Sequence, residues 1–364
     1  MLGEAEKANL STSVELAAKS LQSCPYHQTK QGLVCHHDVH NLYGYHMTRA
    51  AAEAFDVIKD DRMLLFSRAS STGMHRYSGI WTGDNRSWWS HLLLNIKMMP
   101  SLNMCGYLYS GADIGGFSDN TTEDLLTRWL QFGIFTPLMR NHTAKYTRAQ
   151  EPYAFKNINT MRTLIRLRYR LVNHLYSEYM KACLNHQLYF KPLAFEYHDK
   201  ISKEVEDQLL LGDGLMIAPV YEQNKSGRVV YFPENMVCVR FINEEHYELE
   251  MMLKGHQYVS MPLDQLILFI RPNHILFLTD YALNVSQLND KKMEVIAYVQ
   301  SECKGTYYED NGLLKNPILQ EGLSQISIKI EDGQLKTKWQ KSTNSLIESI
   351  HYTVYDETRH EILS

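Results

Sequence analysis

No stretch of about 18 apolar residues occurs in the sequence, so no membrane-spanning helix is expected. The opening MLGEAEKANLSTSVELAAKS has neither a basic segment nor an apolar run, and so does not read as a secretion signal. The six cysteines (Cys24, Cys35, Cys105, Cys183, Cys238 and Cys303) have no C-x-x-C spacing. That argues against a zinc site or a disulfide framework, and they read as isolated reduced thiols of a cytoplasmic protein. A net charge of −4 over 364 residues gives no reason to expect nucleic acid or an anionic membrane as partner. There is no Walker loop, no G-x-G-x-x-G after a strand and no G-x-S-x-G elbow, so no cofactor is expected. His36, His37 and His40 surround Asp38, but no second ligand cluster has suitable spacing, and the segment reads as a structural loop rather than a metal site. Repeats and low-complexity tracts are absent.

What is present is an ordinary globular composition, 44% hydrophobic and 21% charged, long enough for two or three domains. Aromatics are numerous (23 Tyr, 12 Phe, 5 Trp). They serve a large core, and sugar-binding clefts also use such rings, because the C–H faces of a pyranose stack on them. Residues 1–40 are mixed, with a helical patch near Val14–Leu21 and a loop rich in His and Gln. Residues 41–204 show a strand–loop–helix rhythm. Arg62–Arg68, Asn103–Ser110 and Ile134–Met139 read as strands. Trp88–Met99, stopped by Pro100, Asn120–Phe132, capped by Asn120, Thr121 or Thr122, and Thr160–Leu184 read as helices. Such alternation predicts parallel βα units, with ligand-binding residues at the C-terminal ends of the strands. From about 205 the pattern becomes short β-type runs, including 209–220, 228–232, 237–241, 256–261 and 266–278, then 294–333 and 346–355. These predict one or two antiparallel β-domains, which the resemblance given below divides into 205–285 and 286–364.

Three segments carry candidate chemistry. In residues 68–89, RASSTGMHRYSGIWTGDNRSWW, Asp84 lies close to Trp81. A carboxyl against an aromatic wall is desolvated and its pKa rises, which suits a proton donor. The bland alternative is a cap for the helix near Ser87. In SGADIGGF, Asp113 ends a strand before a glycine pair and can accept hydrogen bonds from sugar hydroxyls, or can simply be a turn residue. In PLMRNH, Arg140 can pair with Asp113, and a neutral His142 can bond a hydroxyl. These residues describe an αβ enzyme that binds a sugar or polyol.

Five motifs follow one another in order: HNLYG (40–44, with Thr48–Arg49), FSRAS (66–70), RYSGIWTGDN (76–85), GADIGGF (111–117) and RWLQFGIFTPLMRNH (128–142). Together they resemble glycoside hydrolase family 31 over roughly residues 38–285. The resemblance implies an α/β fold, the C-terminal part of a (β/α)8 TIM barrel followed by antiparallel β-sandwich domains. It implies Asp84 as the general acid/base. Arg68, Trp81, Asp113, Phe117, Arg140 and His142 correspond to residues around the bound sugar. LLLGDGLMIAPV (209–220) and FIRPNHILFL (269–278) resemble strands of the first C-terminal β-domain, with Asn273 where glycine is more usual. The family's nucleophile, an aspartate in W-x-D-M-N-E on an earlier barrel strand, is not found in these residues.

The resemblance therefore implies retaining hydrolysis of terminal α-glucosidic bonds, with an α-glucoside or oligosaccharide as substrate. Retention needs two carboxyls about 5–5.5 Å apart. The polypeptide alone is accordingly expected to be inactive, and the start of the sequence is expected to fall after the nucleophile motif. The alternatives are a non-catalytic sugar-binding fragment, or α-xylosidase, sulfoquinovosidase or α-glucan lyase specificity on the same scaffold. About four βα units cannot close an eight-stranded barrel, so exposed edges and self-association are expected.

Overall fold

The computed structural model describes residues 25–59, 61–313, 322–331, 334–357 and 361–363. The helical patch expected near Val14–Leu21 lies outside them. Backbone contacts divide the chain into two compact units, Met1–Lys59 with Ala69–Ser78, and Asp60–Arg68 with Gly79–Ser364.

In the first unit, strands β1 (Tyr26–Thr29) and β2 (Gly32–Cys35) pair antiparallel, where a loop was expected. Gly32, with φ of 120°, supplies the turn that the pairing needs. A short helix α1 (His36–Val39) and a longer α2 (Tyr43–Ile58) follow. Gly44 of the HNLYG segment has a packing role, since a Cβ there would lie 2.6 Å from the Ala69 carbonyl oxygen. Cys35 is disulfide-bonded, which corrects the expectation of six isolated thiols, while Cys105, Cys183, Cys238 and Cys303 are free.

The second unit opens with parallel strands β3 (Phe66–Ser67), β4 (Gly79–Trp81) and β5 (Ser110–Gly111). Strands β3 and β5 are shorter than the runs expected at Arg62–Arg68 and Asn103–Ser110, and β4 lies where no strand was expected. Helix α3 (Trp89–Met104) does not stop at Pro100 but carries it inside. One lost N–H bond is tolerated because Ile96, Met99 and Pro100 are buried together. The helix thereby consumes Asn103, so the strand expected from 103 begins only at Ser110. Ile134–Met139 forms no strand either. Pro137 has no N–H to donate, and the chain touches its neighbour through Leu138 N to Ser110 O at 3.2 Å and through a parallel bridge between Asp113 and Arg140.

Helix α4 (Glu123–Gly133) starts as its sequence dictates. Thr122 Oγ1 accepts from Leu125 N, and Glu123 and Asp124 sit in the first turn, where the helix dipole favours negative charge. Leu125, Leu126, Trp129 and Leu130 are all buried. Helix α5 (Ile158–Leu184) buries Met161, Leu164, Leu167, Leu171 and Leu175, the stripe expected of a 3.6-residue period.

The β-region takes its first strand ahead of residue 205. Strand β6 (Phe190–Pro192) pairs with β7 (Leu209–Leu211), which turns into β8 (Leu215–Ile217). With β10 (Met236–Phe241), β11 (Tyr247–Met252) and β13 (Leu266–Ile270) they make a six-stranded antiparallel sheet, ordered β11-β10-β13-β8-β7-β6. Strands β9 (Gly227–Phe232) and β12 (Gly255–Ser260) pair separately. Beyond them, β14 (His274–Thr279) and β15 (Lys292–Val299) are antiparallel, but β15 pairs parallel with β19 (Ser349–Asp356), an exception to the all-antiparallel expectation. Strands β16 (Glu302–Tyr308), β17 (Leu323–Glu331) and β18 (Gln334–Gln340) form a further antiparallel sheet. Arg170 of α5 binds this region, donating to Glu294 Oε2 at 2.5 Å and to the Thr279 carbonyl at 3.1 Å.

Candidate active site

The parallel strands deliver their following residues to one place. Arg68 leaves β3, Asp84 follows β4, Asp113 follows β5, and Arg140 lies at the bridge beside Asp113. This is the end of a parallel sheet at which ligand sites are built.

Arg68 Nη1 lies 3.5 Å from Asp84 Oδ2, and both side chains are more than half exposed (60% and 51%). Gly83, with φ of 80°, makes this approach possible, because a Cβ there would sit 2.7 Å from Arg68 Nε. Asp84 does not cap a helix: α3 begins at Trp89, with Trp88 as its N-cap residue. The desolvation by Trp81 expected from sequence is also absent. Asp84 is solvated beside Arg68, while the Trp81 ring lies 5.5 Å from the Arg140 guanidinium and edge-on to Phe66 at 5.9 Å.

Asp113 is the buried carboxylate of the site, 1% exposed. Arg140 donates to its Oδ1 from Nε at 2.9 Å and from Nη2 at 2.5 Å, the pairing that the sequence suggested. Oδ2 is buried without a partner. Burial raises the Asp113 pKa. Arg140 and then His142 act in the opposite direction, and the charge of Asp84 adds to the rise. The carboxyls of Asp84 and Asp113 and the ring of His142 thus share one electrostatic neighbourhood. His142 stacks on Phe117, with ring centroids 5.2 Å apart and planes at 25°. All seven residues predicted from sequence therefore fall in one region of the second unit.

Sequence reasoning missed the scaffold beneath them. Asn85 and Asn95 are buried. Asn95 Nδ2 donates to Asn85 Oδ1 at 3.1 Å, Asn85 Nδ2 donates to Thr82 Oγ1 at 2.8 Å, and Thr82 Oγ1 donates to Asn95 Oδ1 at 2.8 Å. This closed triangle clamps the turn that presents Asp84. The Asn85 carbonyl also accepts from Phe117 N at 2.7 Å, which joins the Asp84 and Phe117 segments. The available signal was Asn95 itself, a polar residue on the face of α3 that buries Leu92, Ile96 and Met99. Gln150 was missed as well: its Nε2 donates to the carbonyls of Ile114 at 2.7 Å and Gly116 at 3.0 Å, holding the loop after Asp113. Among the described residues no group of three or more His, Cys, Asp or Glu is arranged to hold a metal ion, and no helix is long and apolar enough to cross a membrane.

Two family models match the sequence, the glycosyl hydrolases family 31 TIM-barrel domain over residues 7–178 and the glycosyl hydrolase family 31 C-terminal domain over residues 186–276. The chain is 36% identical over 285 residues to Alpha-glucosidase 2 of Bacillus thermoamyloliquefaciens, covering 76% of this chain and 35% of that protein. To the lysosomal alpha-glucosidase of Bos taurus it is 33% identical over 298 residues, covering 78% of this chain and 32% of that protein. Among solved structures, a glucosidase II alpha subunit with Tris bound superposes with a TM-score of 0.78 at 25% identity, over 88% of this chain and 36% of that one. A Flavobacterium johnsoniae dextranase complexed with glucose gives 0.77 at 25% identity, over 90% of this chain and 42% of that one. The chain thus spans about a third of the length of the curated relatives it matches.

Proposed function

Because the chain belongs to glycoside hydrolase family 31, with part of that family's TIM barrel and its C-terminal domain, we propose that it contributes the acid/base half of a retaining hydrolase of terminal α-glucosidic bonds. The observation that carries the reading is the convergence of Asp84, Arg68, Asp113 and His142 beyond consecutive parallel strand ends. Asp84 is solvent-accessible and free of any capping role, so it can give a proton to a glycosidic oxygen and later take one from water. Asp113, its second oxygen buried, holds the Arg140 guanidinium beside the Trp81 ring on the sugar's wall. The Phe117–His142 stack and Trp81 supply an apolar wall and a ring nitrogen for the same sugar.

A glycosyl–enzyme intermediate needs a second carboxylate about 5–5.5 Å from the first. Asp113 is committed to Arg140, and W-x-D-M-N-E does not occur in these 364 residues. A polypeptide of these residues alone is therefore expected to bind glucose without turning over p-nitrophenyl α-glucoside. Clear turnover that Asp84→Asn abolishes would overturn the inactivity, and glucose binding that survives His142→Ala and Arg68→Ala unchanged would overturn the site. Self-association belongs to the same proposal. Among the described residues β3 pairs on one side only, and Met63, Leu64 and Phe66 beside it are exposed. Light scattering that finds only monomer at tens of micromolar would count against it.

A further inference from the structure

The histidines at 36, 37 and 40 lack a second ligand cluster at suitable sequence spacing. The fold of the first unit supplies what spacing does not. Gly32 lets β1 and β2 close into a hairpin, and the register Tyr26↔Cys35 and His27↔Val34 brings the start of β1 beside the end of β2. His36 N donates to the Pro25 carbonyl at 2.9 Å, so the first residue of α1 is fastened to the residue before β1. Cys35, the last residue of β2, is disulfide-bonded and holds the same corner.

Two imidazoles nine residues apart meet as a result. His27 Nε2 and His36 Nδ1 lie 2.9 Å apart, with ring centroids 5.1 Å apart and planes tilted by 54°. His27 is exposed and His36 half-buried, so ions in solution reach the pair. In the hydrogen bond one ring donates its proton to the lone pair of the other. A metal ion takes the place of that proton once each ring carries its hydrogen on the opposite nitrogen. The spacing suits the exchange. Two imidazole nitrogens bound to one ion at about 2.0–2.1 Å stand about 2.9 Å apart at a right angle and about 3.3 Å apart at the tetrahedral angle. The observed separation matches the right angle. His40 stands further off: its Nδ1 donates to the His37 carbonyl at 3.1 Å, and its ring centroid is 6.3 Å from that of His36.

We propose that His27 and His36 form a two-imidazole chelate for a divalent transition-metal ion of square or octahedral preference, such as Ni2+ or Cu2+, with water in the remaining positions. Imidazole nitrogen selects these ions over Mg2+ and Ca2+, which prefer oxygen ligands. The bound ion ties the β1–β2 hairpin to α1, directly ahead of the HNLYG segment. The inference is independent of the glycosidase reading, since neither histidine belongs to the candidate active site.

The test is a calorimetric titration of the full 364-residue chain with NiCl2, without reductant so that the Cys35 bond stays closed. Ni2+ is the probe because it does not oxidise the exposed thiols of Cys105 and Cys183. One tight equivalent is expected, and none with MgCl2. His27→Gln and His36→Gln keep a hydrogen-bonding side chain but lose the imidazole lone pair. Each should weaken that equivalent about tenfold or more, whereas His37→Ala should leave it unchanged. Saturating Ni2+ should raise the melting temperature of the parent and not that of His27→Gln. A parent chain that takes up no Ni2+ overturns the proposal. So does an equivalent that survives both Gln variants, or one that His37→Ala weakens as much as they do. Should His36→Gln not fold, His27→Gln decides alone, because its side chain is exposed.

Discussion

Arg140 places both of its donating nitrogens on a single oxygen of Asp113, and the other oxygen stays buried with nothing to bond. The geometry is costly, because a buried oxygen without a partner keeps its desolvation penalty. A two-on-two fork would satisfy both oxygens. Here one carboxylate oxygen takes both donors and its twin is left buried without a partner.

Removing Arg140 leaves that carboxylate buried and unpaired. Arg140→Ala should destabilise the fold by about 3 kcal/mol, the low end for a broken buried pair because Arg140 is itself partly exposed. The pH dependence has a definite sign. The folded Asp113 pKa is raised by burial, so the folded state holds this proton to higher pH than the unfolded chain does. Its penalty is therefore full above the folded pKa and relieved below the unfolded one. Without Arg140 the rise is larger, so the stability gap between variant and parent should narrow as pH falls from 7 to 4. Urea midpoints at three pH values check this, and a constant gap would contradict it.

Gly111 is the point where β5 meets the next chain segment. A Cβ there would stand 2.0 Å from the Leu138 carbonyl oxygen, a backbone atom that cannot swing away. Gly111→Ala should therefore cost more than about 3 kcal/mol or abolish soluble expression, although it adds one methyl group. A variant that melts within a degree of the parent would show that the two segments separate easily.

The parts of this site legible in sequence were those carried by single side chains at strand ends. Asp84, Asp113 and Arg140 each follow an apolar run and a glycine or proline, and the Asp113–Arg140 pair follows from opposite charge. Strand lengths were not legible, because helix α3 runs on to Met104 past Pro100, and because most of Ile134–Met139 is apolar for reasons of burial rather than pairing. Pro100 misled for a related reason: its cost to α3 is local, while the packing that offsets it is tertiary. The Asn85–Asn95–Thr82 triangle joins residues up to thirteen apart through side chains, and sequence spacing encodes no such closure. The disulfide at Cys35 could not be read from spacing that lacks any C-x-x-C signature.

The triangle makes its own prediction. In Asn95→Ala the Thr82 hydroxyl loses its acceptor and Asn85 Oδ1 loses its donor, both in a buried setting. The expected loss is about 2 kcal/mol. Because the triangle underlies the Asp84 turn, glucose binding should weaken as well, whereas Asn95→Asp keeps an acceptor for Thr82 and should recover part of the stability. Chemical denaturation and sugar titration on the same samples separate the two effects. A stability loss with fully intact binding would confine the triangle to folding.

His174 on α5 supplies a second pH effect, of opposite sign. Its Nδ1 accepts from Phe277 N at 3.3 Å, which assigns the proton to Nε2, and Nε2 is buried without a partner. Burial, with Lys181 adding to it, lowers the His174 pKa to about 3. The folded state thus holds this proton less well than the unfolded chain, so stability is full above the unfolded histidine value and is lost as pH falls from there. The loss should be on the order of 1 kcal/mol per pH unit below about 6.5. His174→Leu removes the titration but orphans the Phe277 N–H, at a cost of about 1 kcal/mol at pH 7. The variant should therefore be the less stable protein at pH 7 and the more stable one near pH 5. The difference between the two curves isolates His174 from the opposing contribution of Asp113, and parallel curves from pH 7 to 4 would rule out a neutral buried ring at this position.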